Sequence, residues 1–126
     1  RDTLIYAGLV HGASGSIAAS ANIAPELSVG IFENFARGRL DEALAFQRRL
    51  APLRLAFKLG TFPAVLKSGV ELLGLRAGPP RAPVGRLSTL ERQQLRDVLV
   101  QMGKLEDGAR KTQVKLHGSE EELQPN

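Results

Sequence analysis

The chain has 126 residues and no cysteine, so neither a disulfide framework nor a thiolate metal site is open to it. Its 17 Lys and Arg against 13 Asp and Glu give a net charge of +4, but the basic residues stand singly or in pairs, as in Arg48-Arg49 and Arg110-Lys111, which argues against nucleic acid binding. His11 and His117 are too few and too far apart in sequence for a histidine metal site, no apolar run reaches the ~20 residues of a membrane helix, and no secretory pattern opens the chain.

Taken in order, Thr3 to Val10 is a short apolar segment that predicts one helix ending near Gly12. Gly15 to Ala19 is small and apolar and reads as a parallel strand buried on both faces. Pro25 suits the first turn of a helix, and Leu27, Ile31 and Phe35 then give it one stripe, closed by Gly38. From Leu40 to Leu59 runs the longest helical signal. Ala43, Phe46, Leu50, Leu53 and Phe57 make one seam; Leu40, Leu44, Ala51 and Leu55 make a second, which implies burial from two directions. Pro52 lies inside this helix and should kink it, and Gly60 ends it.

Phe62 to Leu73 predicts the next helix, with Pro63 in its first turn, Phe62, Leu66, Gly69 and Leu73 on one face, and Gly74 after its end. Arg76 to Arg86 holds three prolines and two glycines and reads as an extended connector. Ser88 and Glu91 form a capping box for the last helix, whose apolar face is Leu95, Val98, Leu99 and Met102 and whose end is Gly103. Beyond it, residues 104–126 are polar and are expected to form a disordered tail.

Few residues here suggest chemistry by themselves. Gly12 and Gly15 have G-x-x-G spacing, but no Lys-Ser or Lys-Thr follows, so a phosphate loop is a poor fit. Lys67 stands four residues before Glu71 on the polar side of its helix, the spacing of a surface ion pair and not of a desolvated nucleophile. No Ser-His-Asp or Cys-His set is available.

The segment GASGSIAASANIAPEL, Gly12 to Leu27, carries a G-A-x-G-x-I-A-x-x-x-N-x-x-P pattern. It is followed by RGRLDEALAFQRRLAPLRLAF, GTFPAVLKSGVELLG and GPPRAPVGRLS. In order and spacing these segments resemble the pyruvate-dependent class I aldolases of the dihydrodipicolinate synthase and N-acetylneuraminate lyase type. The resemblance implies an α/β fold, the C-terminal portion of a (β/α)8 TIM barrel with its last strand and helices, plus a three-helix C-terminal extension. A whole barrel needs roughly 250 residues, so the expectation is a fragment, mostly helical. Residues 1–37 would be the last βα units, 38–103 the helical extension and 104–126 the tail.

The resemblance further implies a Schiff-base-forming carbon–carbon lyase acting on pyruvate or a 2-keto acid, without metal or other cofactor. The parent enzyme would be cytoplasmic and homo-oligomeric, with no nucleic acid or membrane partner. Its Schiff-base lysine and proton-shuttling tyrosine would lie upstream of Arg1, leaving no catalytic residue in this chain and no activity of its own. The substrate-binding positions carried over are Ile17, whose main-chain carbonyl would border the keto acid, and Asp2 and Thr3 at the substrate mouth. Thr3 replaces the glutamate of the sialic acid lyases, which favours a smaller aldehyde or a sugar acid. Asp2 can equally be read as a cap for the helix that starts at Thr3. The alternatives are a 2-keto-3-deoxy sugar-acid aldolase or dehydratase of the same family and, from another class, a non-catalytic helical interaction module using the exposed seam of the Leu40–Leu59 helix.

Overall fold

A computed structural model describes residues 1–107 of the chain. Five helices, α1 (Ile5–Val10), α2 (Pro25–Ala36), α3 (Leu40–Ala56), α4 (Ala64–Leu72) and α5 (Thr89–Gln101), pack around one apolar core. Short 3₁₀ turns at Asp2–Leu4, Ala19–Asn22 and Phe57–Leu59 connect them, and no strand occurs among the described residues.

The most extensive helix pair is α2 against α3. Leu27 and Ile31 of α2 share the core with Leu50 and Leu53 of α3 and with Leu95 and Leu99 of α5. Gly30 allows this approach. A Cβ on it would lie 2.5 Å from the Phe46 ring, which is stacked under the Arg49 guanidinium at 5.2 Å.

The first apolar seam of α3 is therefore core. The second is not: Leu40 and Leu55 are about half exposed, and Leu44 and Ala51 are only partly buried. Pro52 lies inside α3, and the α-helix gives way to a 3₁₀ turn after Ala56, short of the predicted Leu59. Phe62 also departs from expectation: it precedes α4 and is exposed, with Pro63 at the N-cap.

Four helices end alike. After α1, α2, α4 and α5 the amides of the next three residues bond back into the last turn, as in Gly103 N–H to Val100 O at 2.9 Å and Lys104 N–H to Leu99 O at 2.8 Å. This closure needs a left-handed residue, and Gly103 supplies it at φ 71°. Its reversal brings Lys104 to Glu26 of α2 at 2.8 Å and sets Leu105 against the core. Of the expected tail, residues 108–126 lie outside the described residues. Gly60 has a different reason to be glycine. Its backbone is extended, and a Cβ there would strike Leu87.

The Ser88–Glu91 capping box is formed. The Ser88 N–H donates to Glu91 Oε2 at 2.7 Å, and the Glu91 N–H donates to Ser88 Oγ at 3.3 Å. The backbone bond from Ser88, with its hydroxyl as the second contributor, holds the Glu91 carboxyl below its ordinary value of 4.5.

Two expectations follow. Leu50→Ala should destabilise the chain by about 2–5 kcal/mol, because it empties a fully buried site, whereas Leu55→Ala should be nearly neutral. Denaturant titration of both variants checks this; equal losses would show that the seams are equivalent. The lowered Glu91 carboxyl stabilises the fold above pH 4.5, and that contribution is lost as the pH falls through the folded-state value. Glu91→Gln should thus flatten the acid limb of the melting temperature profile, and an unchanged limb would show that the box carries no proton linkage.

Candidate functional site

The start of the chain is anchored by side chains distant in sequence. Asp2 is only 7% exposed. Its Oδ2 accepts the Ser20 N–H at 2.8 Å, which ties it to the Ala19–Asn22 turn. Gln47, 8% exposed in the middle of α3, donates from Nε2 to the Asp2 carbonyl at 2.9 Å and accepts the Tyr6 N–H on Oε1 at 2.9 Å. One amide thus satisfies the Tyr6 N–H, an orphan donor in the first turn of α1, and the carbonyl of Asp2 just before it. Asp2 forms no side-chain cap, so the capping alternative is set aside.

Around Asp2 the chain forms a cleft of about 240 Å³, lined by Arg1, Asp2, Leu4, Ile5, Gly8 and residues 15–18. This cleft brings Asp2 and Ile17 together. Thr3 does not line it; it is exposed on the 3₁₀ turn. A neighbouring depression of about 440 Å³ shares Ile5, Gly15 and Ser16 and continues over Val29 and Phe32 of α2. Ser28 lines it, and its hydroxyl is buried without a hydrogen-bond partner among the described residues, as is that of Ser20.

The expected Gly15–Ala19 strand is corrected here. Residues 14–17 neither donate nor accept a hydrogen bond among the described residues, and Ile17 is fully exposed instead of buried. A parallel strand exists only through its ladder, and no neighbouring strand is present among the described residues to supply one. Ala18 nonetheless keeps extended backbone angles, φ −121° and ψ 126°. Asn22 orders the turn that follows, donating from Nδ2 to the Ala19 carbonyl at 3.0 Å.

The cleft offers one cation, one carboxylate with an oxygen already engaged, and unpaired main-chain groups. That set can hold a small polar molecule, but it contains no lysine, histidine or cysteine for covalent chemistry. Among the described residues no three His, Cys, Asp or Glu side chains converge as a metal site, and no helix is long and apolar enough to cross a membrane. Lys67 does not pair with Glu71 as expected. Its Nζ donates to the Ala77 carbonyl at 2.7 Å, and Glu71 turns to Arg92 at 3.5 Å, because the connector folds back over α4.

Gln47 escaped the reading of the sequence, though a signal was there. It falls four residues after Ala43 and three before Leu50, squarely on the buried seam of α3. A polar residue at such a position must find buried partners.

Comparison with known proteins assigns the chain to a family. Residues 1–102 match the model of the Dihydrodipicolinate synthetase family. The 4-hydroxy-tetrahydrodipicolinate synthase of Methanoculleus marisnigri is 40% identical over 102 residues, 81% of this chain and 35% of that protein. Among solved structures, the dihydrodipicolinate synthase of Thermotoga maritima superposes with a TM-score of 0.79 at 28% identity, over 83% of this chain and 36% of the other. KD(P)GA from T. tenax does so with a TM-score of 0.72 at 31% identity, over 81% and 36%. The chain belongs to the dihydrodipicolinate synthetase family, and it spans about a third of the length of the relatives it matches.

If the anchor is as described, Gln47→Ala should cost about 1–3 kcal/mol for each buried backbone group it orphans, and Thr3→Ala should cost almost nothing. Urea melts of the two variants make the comparison. A silent Gln47→Ala would mean that the chain start is not held through α3.

Proposed function

We propose that this chain is the C-terminal portion of a class I aldolase, a (β/α)8 lyase that acts on pyruvate or a 2-keto acid through a Schiff base, of the dihydrodipicolinate synthase kind. The family match over residues 1–102 carries the proposal. Within it, residues 1–37 form the last βα units of the barrel and 38–103 the helical extension, with 104–126 following as a tail. Ile17 borders the keto acid with its main-chain carbonyl, and Asp2 stands at the substrate mouth. What supports these roles is that both line one cleft at the end of the bundle. Thr3 contributes at the mouth only if a substrate extends past the cleft rim. The parent enzyme works as a homo-oligomer in the cytoplasm on a small keto acid.

In such chemistry a neutral lysine adds to the keto carbon and expels water. No lysine lines the cleft: Lys67 is bound to the Ala77 carbonyl and Lys104 to Glu26. The chain by itself should therefore hold a keto acid weakly and not react with it. The likeness to KD(P)GA favours a second reading, an aldolase or dehydratase of 2-keto-3-deoxy sugar acids in the same family. Thr3 in place of a glutamate fits that reading as well.

The test treats this chain with pyruvate and borohydride and weighs the intact product. No adduct is expected at any lysine, while pyruvate at millimolar concentration should shift the amide resonances of Ser16 to Ala18. A stoichiometric adduct, at Lys67 above all, would overturn the assignment of the covalent step, and a silent Ile17 would overturn the assignment of the cleft.

A further inference from the structure

A second cleft lies between α4, the start of α5 and the connector joining them, and it shares no residue with the one that holds Asp2 and Ile17. Its volume is about 280 Å³, just under the ~300 Å³ at which sites for drug-sized ligands begin. Lys67, Arg86 and Arg92 line it with a single opposing carboxylate, Glu71. We propose that this cleft binds a phosphate group, either as the free ion or as the head of a small phosphate monoester.

The cations are arranged for an anion and not merely near one another. The Lys67 ammonium uses one of its three donors on the Ala77 carbonyl, 2.7 Å away, which fixes it against the connector and leaves two donors free. Arg92 meets Glu71 over a long 3.5 Å contact, so the carboxylate orients this guanidinium while leaving most of its donors unspent. Arg86 makes no hydrogen bond or ion pair among the described residues. Two positive charges thus remain uncompensated by the lining side chains, which matches a dianion better than a single carboxylate.

A second, independent observation points the same way. Ser68, only 9% exposed, also lines this cleft and brings a hydroxyl to it. A hydroxyl on that wall can donate to a phosphate oxygen.

The experiment titrates the chain with inorganic phosphate and, separately, with glycerol 1-phosphate at equal ionic strength, following amide resonances. Saturable binding at one site is expected, with shifts at Ser68, Glu71 and Arg86. Arg86→Ala should weaken it on the order of tenfold, since a charge-assisted hydrogen bond is lost, and Arg86→Lys should recover part of that loss. Arg86 is exposed, so the variant should keep its fold, which its melting curve checks. Ser68→Ala should weaken binding severalfold. Arg81→Ala removes an equal charge outside the cleft and should leave binding unchanged. Tighter binding of the ester would assign the phosphate to a metabolite, and equal binding to the free ion. Shifts that never saturate, or an Arg81→Ala loss as large as that of Arg86→Ala, would overturn the proposal.

Discussion

The contact between α2 and α3 is the constraint on which the rest of the molecule depends. Gly30 has no Cβ, the Phe46 ring lies over its backbone, and Leu27, Ile31, Leu50 and Leu53 fill the space beside them. A side chain at position 30 would gain up to about 1 kcal/mol of helix propensity. Overpacking against the ring would cost about 1–3 kcal/mol, so glycine is retained at a position where propensity alone argues against it. With this pair fixed, α5 can lay Leu95 and Leu99 on one side and α1 can lay Ile5 and Leu9 on the other.

From this seam the candidate site inherits its geometry. Gln47 belongs to α3, so the position of the Asp2 carbonyl and of the first amides of α1 is set by the helix pair and not by the loop that carries them. Ser20 then fixes the Asp2 carboxylate from the opposite direction. The cleft is thus rigid on its Asp2 side and irregular on its Ile17 side, where residues 14–17 make no hydrogen bonds among the described residues.

The helices were legible because their information is local. Three-four spacing of Leu27 and Ile31, glycines after four helices, and Ser88 with Glu91 each state an element within one or two turns. What could not be read from local pattern depends on partners. The Gly15–Ala19 segment has the composition of a buried strand, but ordering each of its residues costs about 1–2 kcal/mol. Burying Ile17 returns only about 1.5–3 kcal/mol, so without a ladder the segment stays irregular. The same holds for Leu40 and Leu55, which lie on a stripe of helical period yet stay about half exposed. Of the three site positions, Asp2 and Ile17 share a cleft and Thr3 does not, because one residue along a 3₁₀ turn rotates the side chain by about a third of a circle.

The two clefts differ in what supports them. The one beside Asp2 is bounded by residues 14–17, whose backbone makes no hydrogen bond among the described residues. The cationic one is bounded by α4, the capped start of α5 and a proline-rich connector, and Glu71 and Arg92 link the two helices across it. Its walls rest on elements whose ends are already satisfied, by Gly74 after α4 and by Ser88 before α5. The cationic cleft is therefore framed by helix ends that are already capped, whereas the first is framed on one side by backbone with no hydrogen bond among the described residues.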